Sequence, residues 1–225
     1  MSQPAQPLRI ELDTDSVGAL LEEADRPHAA LMLAHGAGAG MEHSFMASLA
    51  HALAARGVST LRFQFPYMEH GSKRPDTPAV AHAAVRAAAA EAARRWSSLP
   101  LFAGGKSFGG RMTSQAQAKA SLPGVRGLVF FGFPLHPAKK PGVERAAHLA
   151  DVRIPMLFLQ GTRDALAEWD LIEPTVRALG ERATLERVED ADHAFHVPAR
   201  SGRTDREVLD QLAAYVGTWT AQAQG

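Results

Sequence analysis

The chain has 225 residues, of which 46% are hydrophobic and 21% charged, and these fractions fit one globular domain with a sizeable core. Basic and acidic residues number 24 each and form no block of like charge, which argues against a nucleic-acid or anionic-membrane surface. There is no cysteine, so disulfides, thiolate metal sites and a cysteine nucleophile are excluded.

The N-terminal residues MSQPAQPLRI contain no apolar core of signal-peptide length. No apolar run in the chain approaches the length of a membrane span. We therefore expect a cytoplasmic protein that acts on a small molecule and contacts neither nucleic acid nor membrane.

Eight short apolar runs predict the strands of a sheet. The first two runs are close together and predict an antiparallel pair, whereas the others leave room for crossover helices and predict parallel pairing. No linker or repeat divides the chain, so we predict a single α/β domain over residues 1–225 with a doubly wound sheet. The predicted strands are Leu8–Leu12, Val17–Leu21, Ala29–Ala34, Thr60–Phe65, Leu101–Gly104, Leu128–Phe133, Met156–Gln160 and Thr184–Val188.

Four segments carry helical patterns. The alanine-rich run Ala79–Trp96 predicts a crossover helix. Thr204 and Glu207 form a capping-box pattern before the last helix. Three apolar stripes have helical spacing: Phe45, Leu49 and Leu53 before a C-cap at Gly57; Trp169, Ile172, Val176 and Leu179, stopped by Gly180; and Val208, Leu212, Tyr215 and Trp219.

The stretch AGGKSFGG matches two motifs with different chemistry. GKS ends a phosphate-binding P-loop, whereas GKSFG is a G-x-S-x-G nucleophile elbow. The P-loop needs a glycine where Pro100 stands, and an apolar strand occupies the place of its loop. The elbow needs a strand, a tight turn at Ser107 between Gly105 and Gly109, and a helix, and all three are present. We predict that Ser107 is a nucleophile.

A serine nucleophile on such an elbow needs an acid and a histidine later in the chain. Asp164 follows the strand PMLFLQG and is the preferred acid, with Glu168 in reserve because the first turn of a helix favours acidic residues anyway. Of the ten histidines, only His193 and His196 follow the last strand and precede the last helix. His193 comes first and is the predicted base, whereas His196 is expected to be a loop residue with its own partners.

The loop HGAG after the third strand is placed to complete an oxyanion hole. Phe108, directly after the nucleophile, is the predicted first N–H donor, and Ala37 is the second, with Gly38 as the alternative. His35 is expected to fix this loop by hydrogen bonds.

Further residues are candidates for contact with the substrate. Only about twenty residues separate Phe133 from Met156, too few for a large helical cap, so we expect an open or loop-covered site. Lys106, beside the nucleophile, is predicted to pair with Glu42 or Glu69 at the rim. The candidate contact residues are Met41, Tyr67, Met68, Lys106, Leu135 and Phe195.

Five segments together resemble the α/β-hydrolase superfamily, in particular its small dienelactone-hydrolase-like members. They are HGAGAGMEH, FPYMEHGSKRPD, GGKSFGGRM, FPLHP and DADHAFHVP, which look like a bacterial group related to the hydrolase-like subunit of the non-specific-lethal acetyltransferase complex. The resemblance implies a serine hydrolase without cofactor or metal, with Ser107, Asp164 and His193 as its triad. True dienelactone hydrolases have a cysteine where Ser107 stands.

These residues and the resemblance lead to one expected activity and two alternatives. The expected activity is cleavage of a small ester or thioester through an acyl-enzyme intermediate. A peptidase would use the same triad, and a catalytically silent interaction module would share the fold.

Overall fold

An eight-stranded sheet runs through the centre of the computed structural model, which describes residues 5–223. The first four residues of the N-terminal segment, where no signal-peptide core is expected, lie outside the described residues. Within the described range, no helix has both the length and the apolar character needed to cross a bilayer.

All eight predicted strands are present, with ends shifted by at most three residues. Their order across the sheet is β1-β2-β4-β3-β5-β6-β7-β8. The strands are β1 (Gln6–Glu11), β2 (Ser16–Glu22), β3 (Ala29–Ala34), β4 (Val58–Phe63), β5 (Leu101–Lys106), β6 (Val125–Phe131), β7 (Met156–Gly161) and β8 (Ala183–Val188).

Two predicted strand ends are wrong for local reasons. β4 stops before Phe65 because Pro66 begins a one-turn helix, for which proline is well suited at the first position. β6 stops at Phe131 because Gly132 has φ +68, a left-handed conformation that leaves the strand.

The strand pairing is as predicted. β1 pairs antiparallel with β2, and β2 pairs antiparallel with β4, whereas the remaining six strands are mutually parallel. Parallel strands place their carboxyl ends at one edge of the sheet, where such folds bind ligands. The loops that follow β3, β5, β7 and β8 therefore meet at that edge.

Helices cover both faces of the sheet, so the predicted doubly wound α/β class is confirmed. Buried residues of α1 and α6 form one apolar core, and those of α3, α4 and α5 form the core on the opposite face. The helices are α1 (Ser44–Ala54), α2 (Pro66–Glu69), α3 (Pro78–Arg95), α4 (Phe108–Lys119), α5 (Trp169–Arg177) and α6 (Asp205–Gln222).

The predicted helix signals hold with two corrections: the C-cap of α1, and the end of α5, which stops at Arg177 with Ala178 as its C-cap, before Leu179 and Gly180. The capping box of Thr204 and Glu207 is present at the start of α6. Gly57 is not the C-cap of α1, which is Ala55; Gly57 lies in the following turn with φ +76. Between β6 and β7 the chain forms a 3-10 helix over Glu144–Asp151 and no inserted cap domain, as predicted.

Candidate active site

A sharp turn between β5 and α4 carries Ser107. Its backbone has φ 50 and ψ −113, a conformation that residues other than glycine rarely adopt. Such strained backbone conformations cluster at functional sites. A Cβ at Gly105 would lie 2.3 Å from the carbonyl oxygen of Ala34, and one at Gly109 would lie 2.5 Å from the same atom. Both glycines are required because the elbow packs directly against β3. Gly105 lies inside β5, which leaves no room for a P-loop.

Three predicted residues from three loops form a chain of hydrogen bonds. Ser107 Oγ lies 2.8 Å from His193 Nε2, and His193 Nδ1 lies 2.7 Å from Asp164 Oδ2. A carboxylate only accepts, so the Nδ1–H of His193 donates to Asp164. His193 Nε2 is then free to accept the hydroxyl hydrogen of Ser107, which is the arrangement a general base requires.

The carboxylate of Asp164 is held from two further directions. Its Oδ2 also accepts a hydrogen bond from Gln160 Nε2 at 2.6 Å, and its Oδ1 accepts one from the Leu166 N–H at 2.8 Å. The Asp164 side chain is fully buried, so these bonds fix its orientation. Sequence reasoning missed Gln160, although a polar residue ending an apolar strand is a usable signal.

The reserve acid lies elsewhere. Glu168 is the N-cap residue of α5 and not part of its first turn. Its carboxylate pairs with the Nε2 of buried His136. Glu168 is therefore engaged away from His193.

The two late histidines have different surroundings. Asp192 Oδ1 accepts hydrogen bonds from the N–H groups of Ala194 and His196, which makes a tight turn between the two rings. His196 is exposed, and its Nδ1 lies 2.8 Å from Asp205 Oδ2. The hydrogen bond to Asp205 raises the pKa of His196. His196 thus has a surface partner of its own.

The loop after β3 passes beside the nucleophile. A Cβ at Gly36 would lie 3.9 Å from the Cβ of Ser107. His35 Nδ1 donates to the Gly36 carbonyl at 2.8 Å, and His35 Nε2 accepts from the Phe65 N–H at 3.0 Å. Burial lowers the pKa of His35 to about 4, so the ring is neutral and can accept at Nε2.

Hydrogen bonds also orient the two candidate N–H donors of this loop, because each bond holds the carbonyl of the same peptide unit. In a planar trans peptide the N–H points opposite to the C=O. The bond from His35 to the Gly36 carbonyl therefore orients the N–H of Ala37. The hydroxyl of Tyr67 donates to the Ala37 carbonyl at 2.8 Å and orients the N–H of Gly38 in the same way.

Lys106 faces inward. Its Nζ donates to the carbonyl oxygen of His193 and lies 5.2 Å from the centroid of the Phe195 ring. The predicted pairing with Glu42 or Glu69 is wrong, since Nζ is bound inward and none of the ion pairs found among residues 5–223 includes Lys106. Glu69 instead accepts hydrogen bonds from Arg9 and from a strand N–H. Burial lowers the pKa of Lys106 to about 8, although the nearby carboxylates of Asp164 and Asp192 oppose this change.

The other candidate contact residues divide by exposure. Tyr67, Leu135 and Phe195 are buried; the Tyr67 hydroxyl contacts the loop after β3, and the Phe195 ring lies against Lys106. Met41 and Met68 are half-buried.

Comparisons with known proteins agree with this architecture. The model of a family described as an alpha/beta hydrolase domain matches residues 27–221. An alpha-beta serine hydrolase homologue from Coxiella burnetii has a TM-score of 0.76 at 20% identity, covering 93% of this chain and 96% of that chain. An α/β serine hydrolase without lid from Xanthomonas campestris has a TM-score of 0.76 at 19% identity, covering 96% and 95%.

A third similar structure is a dienelactone hydrolase from Anabaena variabilis. Its TM-score is 0.77 at 17% identity, and 98% of each chain is covered. At these identities the likeness concerns the fold. All three neighbours are matched over nearly their full length.

Proposed function

The chain belongs to the alpha/beta hydrolase domain family, and from this premise we propose that it is a serine hydrolase cleaving a small ester or thioester. The observation that carries the proposal is the hydrogen-bonded chain of Ser107, His193 and Asp164 at the carboxyl edge of the sheet. The three residues are far apart in sequence, and each lies in a loop that follows a different strand.

The first half of the reaction forms an acyl-enzyme. His193 Nε2 takes the hydroxyl proton of Ser107 while Oγ bonds to the carbonyl carbon of the substrate. Asp164 holds the imidazole tautomer and stabilises the positive charge that develops on the ring. The imidazolium then gives its proton to the departing alcohol or thiol as the carbon–heteroatom bond breaks.

The negative oxygen of the tetrahedral intermediate needs donors. The N–H of Phe108 belongs to the first turn of α4, where the helix dipole favours negative charge. The N–H of Ala37 is the second proposed donor, with Gly38 as the alternative, since both are oriented by bonds to their peptide carbonyls. Two preorganised donors of this kind contribute several kcal/mol to such reactions, at roughly 3 kcal/mol each.

The second half of the reaction releases the acid. His193 takes a proton from water, whose oxygen attacks the acyl carbon and displaces Ser107 Oγ. The proton returns from His193 to the serine, which restores the resting state. Every proton is carried by His193, so the proposed cycle uses no metal or organic cofactor.

Lys106 is proposed to position the base. Its ammonium group holds the carbonyl of His193, and the carboxylates of Asp164 and Asp192 face the same ammonium. The charged form donates the stronger hydrogen bond. Loss of the proton from Lys106 should therefore loosen the loop that carries the imidazole.

The pH dependence of kcat/KM tests this role. With the pKa of Lys106 lowered to about 8, the wild-type value should fall as the pH rises through about 8. Lys106→Arg should keep the charge and move the fall to higher pH, because guanidinium stays protonated. Lys106→Met should lower kcat over the whole range. An unmoved alkaline limb in Lys106→Arg would assign that limb to another group.

A fluorophosphonate probe followed by mass spectrometry tests the proposed activity itself. A single adduct on Ser107 is expected. Ser114 is an internal control because its Oγ also contacts a histidine, His148 Nε2, at 2.7 Å, yet it is buried and lies away from the elbow. A folded but unlabelled protein would support the interaction module, and an adduct on Ser114 would contradict the assigned nucleophile.

A further inference from the structure

Arg111 lies one helical turn beyond the proposed nucleophile. Its backbone N–H donates to the carbonyl of Ser107 at 3.1 Å. Its guanidinium lies over the ring of Phe108, with Cζ 5.9 Å from the ring centroid. Phe108 directly follows the proposed nucleophile, so the guanidinium packs on the side chain of the residue next to Ser107.

The guanidinium of Arg111 lacks the partners that a buried arginine normally has. Its Nε is buried and, within residues 5–223, has no hydrogen-bond partner. None of the ion pairs found among those residues includes Arg111. Buried polar atoms in native proteins are nearly always bonded, because an unsatisfied donor is costly. Burial is also the main cause that lowers the pKa of Arg111.

The charged groups around Arg111 are mostly basic. Arg145, in the 3-10 helix before β7, also lowers the pKa of Arg111, as expected of a neighbouring positive charge. The positive charge of Arg111 contributes to lowering the pKa values of His82 and His148. Burial is the main cause for His148 and lowers its pKa to about 4, so its ring is neutral. The carboxylate of Asp151 has the opposite effect and raises the pKa of His148. The arrangement concentrates positive charge without a paired carboxylate on Arg111.

An arginine with a structural role looks different in this fold. Arg86, on the neighbouring helix α3, donates to the carbonyls of Ala116, Ala120 and Ser121 and so closes the end of α4. Arg145 donates only Nη1, to the carbonyl of His136 at 3.1 Å. Among the described residues, Arg111 therefore keeps its Nη donors, and Arg145 keeps several donors, for a group from outside the chain.

We propose that Arg111, assisted by Arg145, binds a carboxylate of the substrate, which assigns the substrate class to esters or thioesters that carry a negative charge near the scissile bond. A carboxylate offers two acceptor oxygens to the Nη donors of a guanidinium fork. The inference rests on the proposed hydrolase function, which it makes more specific.

Matched ester pairs that differ by one charge test the inference. On the alcohol side the pair is para-acetoxybenzoate and its methyl ester, and on the acyl side it is the para-nitrophenyl half-ester of adipate and its methyl diester. The measured quantity is the ratio of kcat/KM for the charged ester over that for the neutral ester. Intrinsic reactivity cancels when this ratio is compared between variants.

For at least one pair, Arg111→Gln should lower the ratio by roughly tenfold or more, because a charge-assisted hydrogen bond is lost. Arg145→Gln should lower this ratio less. The ratio for Arg111→Lys should lie between those of wild type and Arg111→Gln. The matched control is Arg126→Gln, which removes an exposed arginine at the start of β6, at the opposite edge of the sheet. It should leave the ratio within about twofold, since exposed charges act weakly over distance.

The outcomes separate this inference from the proposed function. If the neutral esters are cleaved but the ratio is the same in Arg111→Gln and wild type, the carboxylate site is wrong and the hydrolase stands. An equal fall in Arg126→Gln would also overturn the site, as a general effect of charge. If wild type cleaves none of the esters, the hydrolase proposal fails, and thermal unfolding with benzoate or benzamide decides the site. Benzoate, but not benzamide, should then raise the Tm of wild type, and neither compound should raise the Tm of Arg111→Gln. Equal shifts in the two proteins would overturn the carboxylate site.

Discussion

Ser107→Ala is expected to lower the turnover of a small activated ester by roughly a thousandfold or more while the fold stays intact. The variant removes the only atom proposed to bond to the substrate and leaves the donors of the oxyanion hole in place. The hydrogen bond from Oγ to His193 is lost, which costs about 1 kcal/mol of stability. Steady-state hydrolysis of para-nitrophenyl acetate, together with thermal unfolding, measures both effects.

Ser114→Ala is the matched control for this experiment. It also removes a serine hydroxyl that contacts a histidine, in this case His148 of the 3-10 helix before β7. It should lower the Tm modestly and keep turnover. If Ser107→Ala keeps its activity, the nucleophile lies elsewhere and the elbow has a structural role only.

The sheet could be read from the sequence because its signal is local. Each central strand is a short run of apolar residues, and β3 begins and ends at the predicted residues, Ala29 and Ala34. Burial on both faces is typical of parallel strands covered by helices, so the runs themselves identify the class. The errors occurred where a single residue, such as Pro66 or Gly132, changes the backbone direction.

The positions of the three proposed catalytic residues followed from chain order. In a parallel sheet, a polar residue just after a strand must lie at the carboxyl edge, so order along the chain predicts proximity. In the structure, His193 lies within hydrogen-bond distance of Ser107 on one side and of Asp164 on the other.

Other parts of the site depend on contacts between distant segments and left no local signal. Lys106 lies 87 residues before the carbonyl that it contacts, and nothing in the residues around it indicates an inward orientation. The inward position of the Lys106 ammonium depends on Gly132 having no side chain, because a Cβ at Gly132 would lie 3.1 Å from Nζ. The lack of partners at Arg111 is likewise a property of the packed structure, since it depends on which groups the fold leaves out of reach.

The two histidines that follow β8 should differ sharply when each is replaced. His193→Ala should lower kcat nearly as far as Ser107→Ala, because without the base the serine hydroxyl keeps its proton and the triad acts as a unit. This variant also deprives the buried carboxylate of Asp164 of a donor, so His193→Gln is a second variant that keeps a side-chain N–H but cannot act as the base.

His196→Ala is the control for both variants, because it removes an imidazole only three residues away. Its ring is 63% exposed and pairs with Asp205 at the surface, and such exposed pairs contribute little to stability. We therefore expect a turnover within a few-fold of wild type. The comparison uses kcat for para-nitrophenyl acetate in variants whose thermal unfolding shows that they are folded. An inactive His196→Ala beside an active His193→Ala would mean that the loop after β8 presents the other ring to Ser107 during turnover.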